Sequence, residues 1–282
     1  MRLGLAVFLL LGSPDAGQQV VFGGARPVTL SVPRAYAGRP TPLLLVLHGY
    51  GSSGKHHEKY LGLDRLVEER GVLVASPDGT PDSAGGRFWN TGSDACCNFR
   101  GSDVDDVKYL RGLIAEIRGV YNVDPRRIYV LGHSNGGFMA HRLGCELSKE
   151  LAAVVSIAGS TPLERCKTPM SVLQIHGDRD YAVRYDGGVN ILGRGGGAYV
   201  GAEESASRWA RDDKCKLTRT SRERLDLVST LPGAETMVGT YDGCPAGTDV
   251  TLWTMQGGLH VPDFGPQFPS LVWGWLEAHP RP

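Results

Sequence analysis

The feature that most constrains this chain is a serine set among small residues directly after an apolar run. Residues 128–131 are apolar and predict a buried strand, and the apolar spacing of residues 138–143 predicts a helix. Between them, residues 132–136 have the pattern Gly-x-Ser-x-Gly. A sharp strand-to-helix turn needs small flanking residues, and it presents the serine hydroxyl beside the first N–H groups of the helix. The pattern predicts Ser134 as a nucleophile; a plain Gly/Ser turn is the alternative.

The length and charge of the chain limit the classes of protein to which it could belong. The 282 residues could form one large α/β domain or two small ones. Thirty basic residues balance thirty acidic ones and no basic stripe stands out, which argues against a nucleic-acid partner. A hydrophobic fraction of 41% predicts a substantial core. Since no repeat, charge block or linker divides the chain, residues 18–282 are predicted to form a single domain.

The N-terminus predicts export. Residues 1–17 contain Arg2, then an apolar run, then small residues, which is typical of a secretory signal peptide. We expect cleavage between Ser13 and Gln18, and the alternative is a buried first strand or an interfacial segment. The apolar run is too short to span a bilayer as a helix and no other stretch is long enough, so the sequence predicts a secreted protein without a membrane partner.

Apolar runs alternate with helical patterns along the rest of the chain. This alternation predicts a mostly parallel central sheet with helices on both faces. Loops rich in glycine are predicted at 80–101 and at 185–201, the latter over the site. The predicted strands are an edge strand at 28–32 and core strands at 43–47, 72–75, 128–131, 152–157, 172–175, 238–241 and 250–255. The predicted helices cover 56–70, 103–120, 138–143, 203–212 and 268–278.

A nucleophilic serine needs a base, which is usually a histidine oriented by a carboxylate. In an open α/β sheet such groups collect at the carboxyl ends of the strands. Asp178 and Asp180 follow the predicted strand at 172–175, and His260 follows the last predicted strand in a loop containing glycine. Both aspartates are candidates at this point. The order Ser134, aspartate, His260 is that of α/β-hydrolases.

Other polar residues have less specific patterns. His176 is the rival base, but it directly precedes the acid loop and is interpreted as a structural loop residue. The run His56-His57-Glu58 suggests a metal site, yet adjacent helical residues point in different directions, so we interpret it as solvated surface. Asp103, Asp105 and Asp106 are interpreted as charges at a helix N-terminus. No metal site is predicted.

An oxyanion hole needs two backbone N–H donors. One is expected from Asn135, which follows the nucleophile, and the other from the loop after an early strand. Residues 48–51, with the sequence His-Gly-Tyr-Gly, occupy that loop, and the N–H of Tyr50 is the candidate second donor. A tight turn at 48–49 would be compatible with this role.

Four motifs in this order resemble the secreted α/β-hydrolase family of polyhydroxyalkanoate depolymerases and feruloyl or acetyl-xylan esterases. The resemblance runs from about residue 43 to the C-terminus and implies Ser134 as nucleophile, His260 as base and Asp180 as the acid. The family often has Gly-Gly-Gly-His-Thr-Trp where this chain has Gly-Gly-Leu-His-Val-Pro, a departure that bears on the leaving-group or acyl pocket. The motifs are Leu47-His48-Gly49-Tyr50-Gly51, Gly132-His133-Ser134-Asn135-Gly136-Gly137, His176-Gly177-Asp178-Arg179-Asp180 and Gly257-Gly258-Leu259-His260.

The resemblance also bears on the cleft and the cysteines. It implies that Trp89, Asn90 and the Cys96-Cys97 loop lie near the substrate. Six cysteines allow fifteen pairings, and disulfides are expected in an oxidising compartment. The resemblance favours a Cys215–Cys244 disulfide and makes Cys145–Cys166 a plausible second. Adjacent Cys96 and Cys97 are either bonded to each other or free.

The function that the resemblance implies is a secreted serine carboxylester hydrolase with a Ser-His-Asp triad, an acyl-enzyme intermediate and no cofactor. Feruloyl or acetyl groups on plant-wall polysaccharide, or an oligoester, are the expected substrates. A polyhydroxybutyrate depolymerase is the alternative, since Phe88, Trp89 and Phe99 would suit a ferulate ring, a polyester chain or a core contact. A non-catalytic binding protein on the same scaffold and a serine peptidase are further alternatives. The oligomeric state stays open, with a monomer favoured.

Overall fold

The computed structural model describes residues 20–161, 165–166, 168–189 and 197–282, with the side chains of residues 222 and 223 excepted. The predicted signal peptide at residues 1–17 lies outside the described residues. Residues 190–196 of the predicted excursion over the site also lie outside them. No described helix has the length and apolar character that crossing a membrane requires.

The described residues contain fourteen strands and six helices. The strands are β1 (Val21–Phe22), β2 (Val28–Ser31), β3 (Thr41–Leu47), β4 (Leu73–Ala75), β5 (Thr80–Pro81), β6 (Arg87–Phe88), β7 (Val123–His133), β8 (Ala153–Ile157), β9 (Ser171–Gly177), β10 (Gly187–Val189), β11 (Ala198–Val200), β12 (Arg219–Leu225), β13 (Thr236–Tyr241) and β14 (Val250–Met255). The helices are α1 (Gly54–Tyr60), α2 (Asp64–Arg70), α3 (Asp106–Val120), α4 (Asn135–Glu146), α5 (Ala202–Asp212) and α6 (Phe268–Glu277).

Ten of the strands form one sheet in the order β1-β2-β4-β3-β7-β8-β9-β14-β13-β12. The six central strands, from β4 to β14, are parallel, and an antiparallel pair extends the sheet at each edge. Every residue of β3, β8, β9 and β14 is buried. Burial on both faces explains why β3 and β8 are nearly continuous apolar runs in the sequence.

Helices cover both faces of this sheet. One core cluster packs α3, α4 and α5 against it, with Leu110, Met139 and Trp209 among the contributing side chains. The other cluster packs α2 and α6 on the opposite face, with Leu66 and Trp273 among its members. The predicted fold class, a mostly parallel sheet with helices on both faces, is confirmed.

Several predicted boundaries were wrong for local reasons. The helix predicted at 56–70 is two helices, because Gly62 adopts a φ of +64° between α1 and α2. The helix predicted from Asp103 begins at Asp106. The predicted edge strand β2 is covered by β1. Strand β12 was missed because its sequence is polar and carries three arginines.

Candidate active site

Ser134 sits on the turn between β7 and α4 with a φ of 56° and a ψ of −120°. A non-glycine residue at positive φ is strained, and its own N–H is held by a bond of 2.8 Å to the Ile157 carbonyl oxygen. The flanking glycines are required by close approaches. A Cβ at Gly132 would overlap the backbone of Gly136, and a Cβ at Gly136 would overlap the backbone of Leu47. The turn can therefore present the Ser134 hydroxyl only because Gly132 and Gly136 lack side chains.

The structure brings Ser134, His260 and Asp180 together. Nε2 of His260 lies 2.9 Å from Oγ of Ser134, and Nδ1 of His260 lies 2.8 Å from Oδ2 of Asp180. The loops after β9 and β14 meet because these strands are parallel neighbours in the sheet. The other candidate acid, Asp178, instead accepts the N–H of Gly257 at 2.7 Å and so holds the loop that leads to His260.

Asp180 is buried and held in one orientation. Its Oδ1 accepts the backbone N–H groups of Ala182 and Val183 at 2.8 and 2.9 Å. Burial alone would raise the pKa of the carboxyl, but hydrogen bonds from His176 and His260 outweigh it and hold the pKa well below the usual range. The carboxylate therefore stays ionised and can orient the imidazole of His260.

His176 is a strand residue, which corrects its interpretation as a loop residue. It lies at the end of β9, and its Nε2 is 2.7 Å from the Val183 carbonyl oxygen and 3.3 Å from Oδ2 of Asp180. Gln174 Nε2 donates to its Nδ1 at 3.1 Å. Nε2 of His176 therefore carries a proton, and this atom faces both the Val183 carbonyl and the acid.

A line of buried side chains continues behind His176. Oε1 of Gln174 accepts the Nε2–H of His141 at 2.8 Å, and the Nδ1 of His141 accepts the indole N–H of Trp209 at 2.9 Å. All of these side chains are buried, and burial lowers the pKa of His141 to about 4. Sequence patterns could not identify this line, because its members come from α4, β9 and α5 and are far apart along the chain.

The two candidate oxyanion donors lie on segments that meet at Ser134. The Gly49–Tyr50 loop runs so close that a Cβ at Gly49 would lie 3.3 Å from Cβ of Ser134. Asn135 begins α4, where the backbone N–H groups of a helix have no acceptor within the helix. Its side chain binds Trp89 twice, accepting the backbone N–H at 2.6 Å and donating to the carbonyl at 3.0 Å.

Trp89 and Asn90 do not line the cleft, which corrects their predicted role in substrate binding. The Trp89 side chain is fully buried, and its indole N–H donates to the His48 carbonyl at 3.0 Å. The Asn90 amide group donates to the carbonyls of Ser102 and Val104. Both residues therefore fix the loops around the site.

Asp106 lies in the first turn of α3, as predicted, but it also has partners that the sequence did not predict. Asp105 is the N-cap of α3 and accepts the Lys108 N–H at 2.9 Å, as expected of a charge at this helix end. Asp106, in contrast, is fully buried and pairs with Arg26 at 2.5 Å, while its other oxygen accepts the Asn90 N–H at 2.7 Å. The buried pair therefore ties the N-terminal segment to the loop that carries Trp89.

A cleft of about 460 Å³ opens at Ser134. One of its walls is apolar and contains the bonded pair Cys96–Cys97. The other wall carries polar rings and hydroxyls. The apolar wall is formed by Ala95, Cys96, Cys97, Phe99, Phe138, Val183 and Tyr199, and the polar wall includes Ser52, His56, His57, Tyr60 and His133.

The interpretation of His56-His57-Glu58 as solvated surface was wrong for two of its residues. His57 is buried, and its Nε2 lies 2.9 Å from Nδ1 of His133. Glu58 accepts the Ser76 hydroxyl at 2.6 Å, and burial raises the pKa of its carboxyl. Only His56 is exposed. Within the described ranges, no group of three or more metal-ligating side chains converges on one point.

The remaining cysteines are paired as Cys145–Cys166 and Cys215–Cys244, the two pairs that the resemblance favoured. The first joins α4 to the segment before β9, and the second joins the segments before β12 and β14. With the Cys96–Cys97 bond, all six cysteines are in disulfides.

Comparison with known proteins shows that the chain is similar to esterases. No family model matches the chain. Feruloyl esterase B of Piromyces equi is 30% identical over 266 residues, which cover 91% of this chain and 46% of that protein. A protein named probable feruloyl esterase C, from Aspergillus oryzae, is 26% identical over 267 residues, covering 90% of this chain and 84% of that protein. The chain thus spans less than half the length of the first of these relatives.

A solved structure has the same fold. The acetyl xylan esterase from Aspergillus awamori superposes with a TM-score of 0.64 over 92% of this chain and 98% of that one. The two sequences are 14% identical over this alignment. At this identity the likeness concerns the fold alone.

Proposed function

We propose that the chain is a serine carboxylester hydrolase with the α/β-hydrolase fold, related to the feruloyl and acetyl xylan esterases. The observation that carries the proposal is the position of the His260 imidazole, 2.9 Å from the Ser134 hydroxyl and 2.8 Å from the Asp180 carboxylate. The first distance suits proton transfer from the Ser134 hydroxyl to His260, and the second suits a hydrogen bond by which Asp180 orients the imidazole.

The proposed reaction proceeds through an acyl-enzyme. The Ser134 oxygen attacks the ester carbonyl while Nε2 of His260 takes the hydroxyl proton, and Asp180 stabilises the resulting imidazolium. The backbone N–H groups of Tyr50 and Asn135 bind the oxyanion of the tetrahedral intermediate. His260 then protonates the departing alcohol. A water molecule then attacks the acyl group while His260 takes its proton. His260 returns that proton to the Ser134 oxygen as the carboxylic acid leaves.

Feruloyl or acetyl groups on plant-wall polysaccharide are the proposed substrates. The named activity of the relatives supports this choice. The apolar wall around Phe99, Phe138 and Tyr199 supports an acyl group with a large apolar part, such as a cinnamoyl ring. The same wall would suit a hydroxybutyrate oligomer, so polyester hydrolysis is the second candidate function.

We also propose that the protein acts outside the cell. Three disulfides and the sequence of residues 1–17 support secretion. A test is to express the full chain in a secreting host and to determine the N-terminal sequence of the protein in the medium. Protein that stays in the cells with residues 1–17 still attached would contradict secretion.

The central experiment compares the wild-type protein with Ser134→Ala. We expect the variant to keep its thermal midpoint and to lose turnover of p-nitrophenyl acetate by a factor of at least about 10⁴. A fluorophosphonate probe should label Ser134 in the wild type only. Absence of labelling in the folded wild type would instead favour a non-catalytic binding protein.

A substrate panel then separates the candidates. Methyl ferulate, acetylated xylan and hydroxybutyrate oligomers should be compared at equal enzyme concentration. Preferred turnover of the oligomers would shift the assignment to a polyester depolymerase. A matched amide beside each ester tests for peptidase activity, and we expect hydrolysis of the ester alone.

A further inference from the structure

The segment that carries His260 is not held by its own side chains. Leu259 and Val261, on either side of it, are 50% and 55% exposed. Side chains that face water contribute little packing energy, so they cannot fix the backbone between them. Besides the hydrogen bond between its ring and Asp180, the position of His260 therefore depends on hydrogen bonds to the backbone of its segment.

His133 supplies the hydrogen bond at residue 260 itself. Its Nε2 lies 2.7 Å from the His260 carbonyl oxygen. A carbonyl can only accept, so Nε2 must carry the proton. His133 is the last residue of β7 and is buried, which fixes the donor to the central sheet. Two residues further on, the Tyr60 hydroxyl donates to the Pro262 carbonyl at 2.8 Å.

The same reasoning assigns the protons behind His133. Since its Nε2 is protonated, neutral His133 has an acceptor at Nδ1, and Nε2 of His57 must donate to it across 2.9 Å. Nδ1 of His57 then accepts the Ser52 hydroxyl at 3.1 Å. Burial and neighbouring histidines lower the pKa of His57 to about 2 and that of His133 to about 4, so both rings are neutral near pH 7.

We propose that Ser52, His57 and His133 form a positioning chain that holds the His260 carbonyl and thereby keeps the His260 imidazole in line with the Ser134 hydroxyl. The proposal rests on the proposed function, in which His260 is the base. The positioning chain acts through His260 and exchanges no proton with the substrate. Its three members come from the loop after β3, from α1 and from the end of β7. Side chains from the carboxyl end of the sheet and from one short helix are thus linked in series to the His260 carbonyl.

The proposal predicts a graded loss of kcat. Misplacing a catalytic group by about 1 Å can cost about 100-fold in rate. We expect His133→Leu to lower kcat about 100-fold and His57→Leu about tenfold, while Ser52→Ala stays within about threefold. KM for p-nitrophenyl acetate should change by less than about threefold in each variant, because the substituted residues lie on the polar wall and the apolar wall, where we place the acyl group, stays intact.

Two further variants separate positioning from general damage. His133→Gln can still donate an N–H towards the carbonyl, and we expect it to recover about tenfold of the kcat lost in His133→Leu. Trp273→Phe is the stability control. This buried residue packs on Tyr129, in the core cluster on the side of the sheet that α2 and α6 cover. It is not part of the positioning chain. It should lower the thermal midpoint and leave kcat unchanged.

The rate of fluorophosphonate labelling at Ser134 gives a readout that does not depend on substrate binding, and it should fall in parallel with kcat. Folded His133→Leu with wild-type kcat and labelling rate would overturn the proposal. If that variant does not fold, His57→Leu decides in the same way. Ser134→Ala is measured alongside: full activity there refutes the proposed function, whereas an inactive Ser134→Ala with a fully active His133→Leu refutes the positioning chain alone.

Discussion

Nε2 of His176 lies 3.3 Å from Oδ2 of Asp180, the same oxygen that accepts the Nδ1–H of His260. The proposed acid therefore faces two imidazoles, of which only His260 reaches Ser134. His176 is itself fixed by the line of buried side chains through Gln174, His141 and Trp209. The Asp180 carboxylate is therefore stabilised by His260 towards the cleft and by His176 towards the protein interior.

We predict that His176→Phe moves the acidic limb of the pH profile. The hydrogen bond from His176 helps to hold the pKa of Asp180 below its usual range, so its loss should raise that pKa. The acidic limb should therefore become steeper at a higher pH than in the wild type, at the pH where Asp180 takes up its proton. At pH 7 kcat/KM should fall about tenfold, because the carboxylate loses a contact that helps to hold it in place. Asp178→Asn is a useful comparison, because this carboxylate also lies at the end of β9 but contacts neither histidine ring. A pH profile unchanged from the wild type in His176→Phe would contradict the prediction.

The parts of this site that could be predicted from the sequence are those set by local rules. The small residues around Ser134 mark the turn, and the apolar runs mark the strands whose carboxyl ends carry Asp180 and His260. The parallel order of the strands then brings those ends together. These features need no knowledge of distant contacts.

The remaining features depend on contacts between distant residues. His57 has the same local pattern as an exposed helical histidine, and its burial follows from a partner 76 residues away, His133. Trp89 was expected near the substrate because the family resemblance implied it, yet its backbone N–H binds Asn135 and its indole binds His48. No periodicity in the sequence distinguishes these outcomes.

Asp213→Asn should stabilise the protein most at alkaline pH. Burial raises the pKa of Asp213 from 3.8 to about 7, and its Oδ2 has no hydrogen-bond partner among the described residues. Between pH 3.8 and about 7 the carboxyl group has lost its proton in the unfolded chain but keeps it in the folded protein. The free energy of unfolding therefore falls as the pH rises through this range, and it stays low above about pH 7. Asparagine keeps an acceptor for the Met170 N–H, which Asp213 binds at 3.3 Å. We expect about 1–3 kcal/mol of added stability at pH 8 by urea unfolding, and less at pH 4. Equal gains at both pH values would exclude a charge effect.

Removing the Cys215–Cys244 disulfide should destabilise the fold with little effect on the site. The bond closes a loop of sequence separation 29, and constraint of the unfolded chain by such a loop contributes about 3–4 kcal/mol. The double variant Cys215→Ala, Cys244→Ala should therefore lose that much in urea unfolding, while kcat stays near wild type at temperatures where the variant is folded. A large fall in kcat for the folded variant would show that this disulfide supports the site directly.

Phe99→Ala should distinguish an aromatic acyl substrate from a small one. The Phe99 ring lines the apolar wall of the cleft and meets the Tyr50 ring edge-on at a centroid distance of 5.0 Å. A cinnamoyl group that packs on this wall loses the ring contact in the variant, whereas an acetyl group is too small to depend on it. We expect kcat/KM for methyl ferulate to fall about tenfold and that for p-nitrophenyl acetate to change by less than about twofold.

The matched control for Phe99→Ala is Leu217→Ala, which removes an exposed apolar side chain outside the cleft. This variant should leave both kcat/KM values unchanged. Equal losses with both esters in Phe99→Ala would mean that the ring acts on the oxyanion loop through Tyr50, because a defect in that loop slows every ester alike. Loss confined to the ferulate ester would identify the disulfide-containing wall as the acyl site, since Phe99, Cys96 and Cys97 belong to the same cluster.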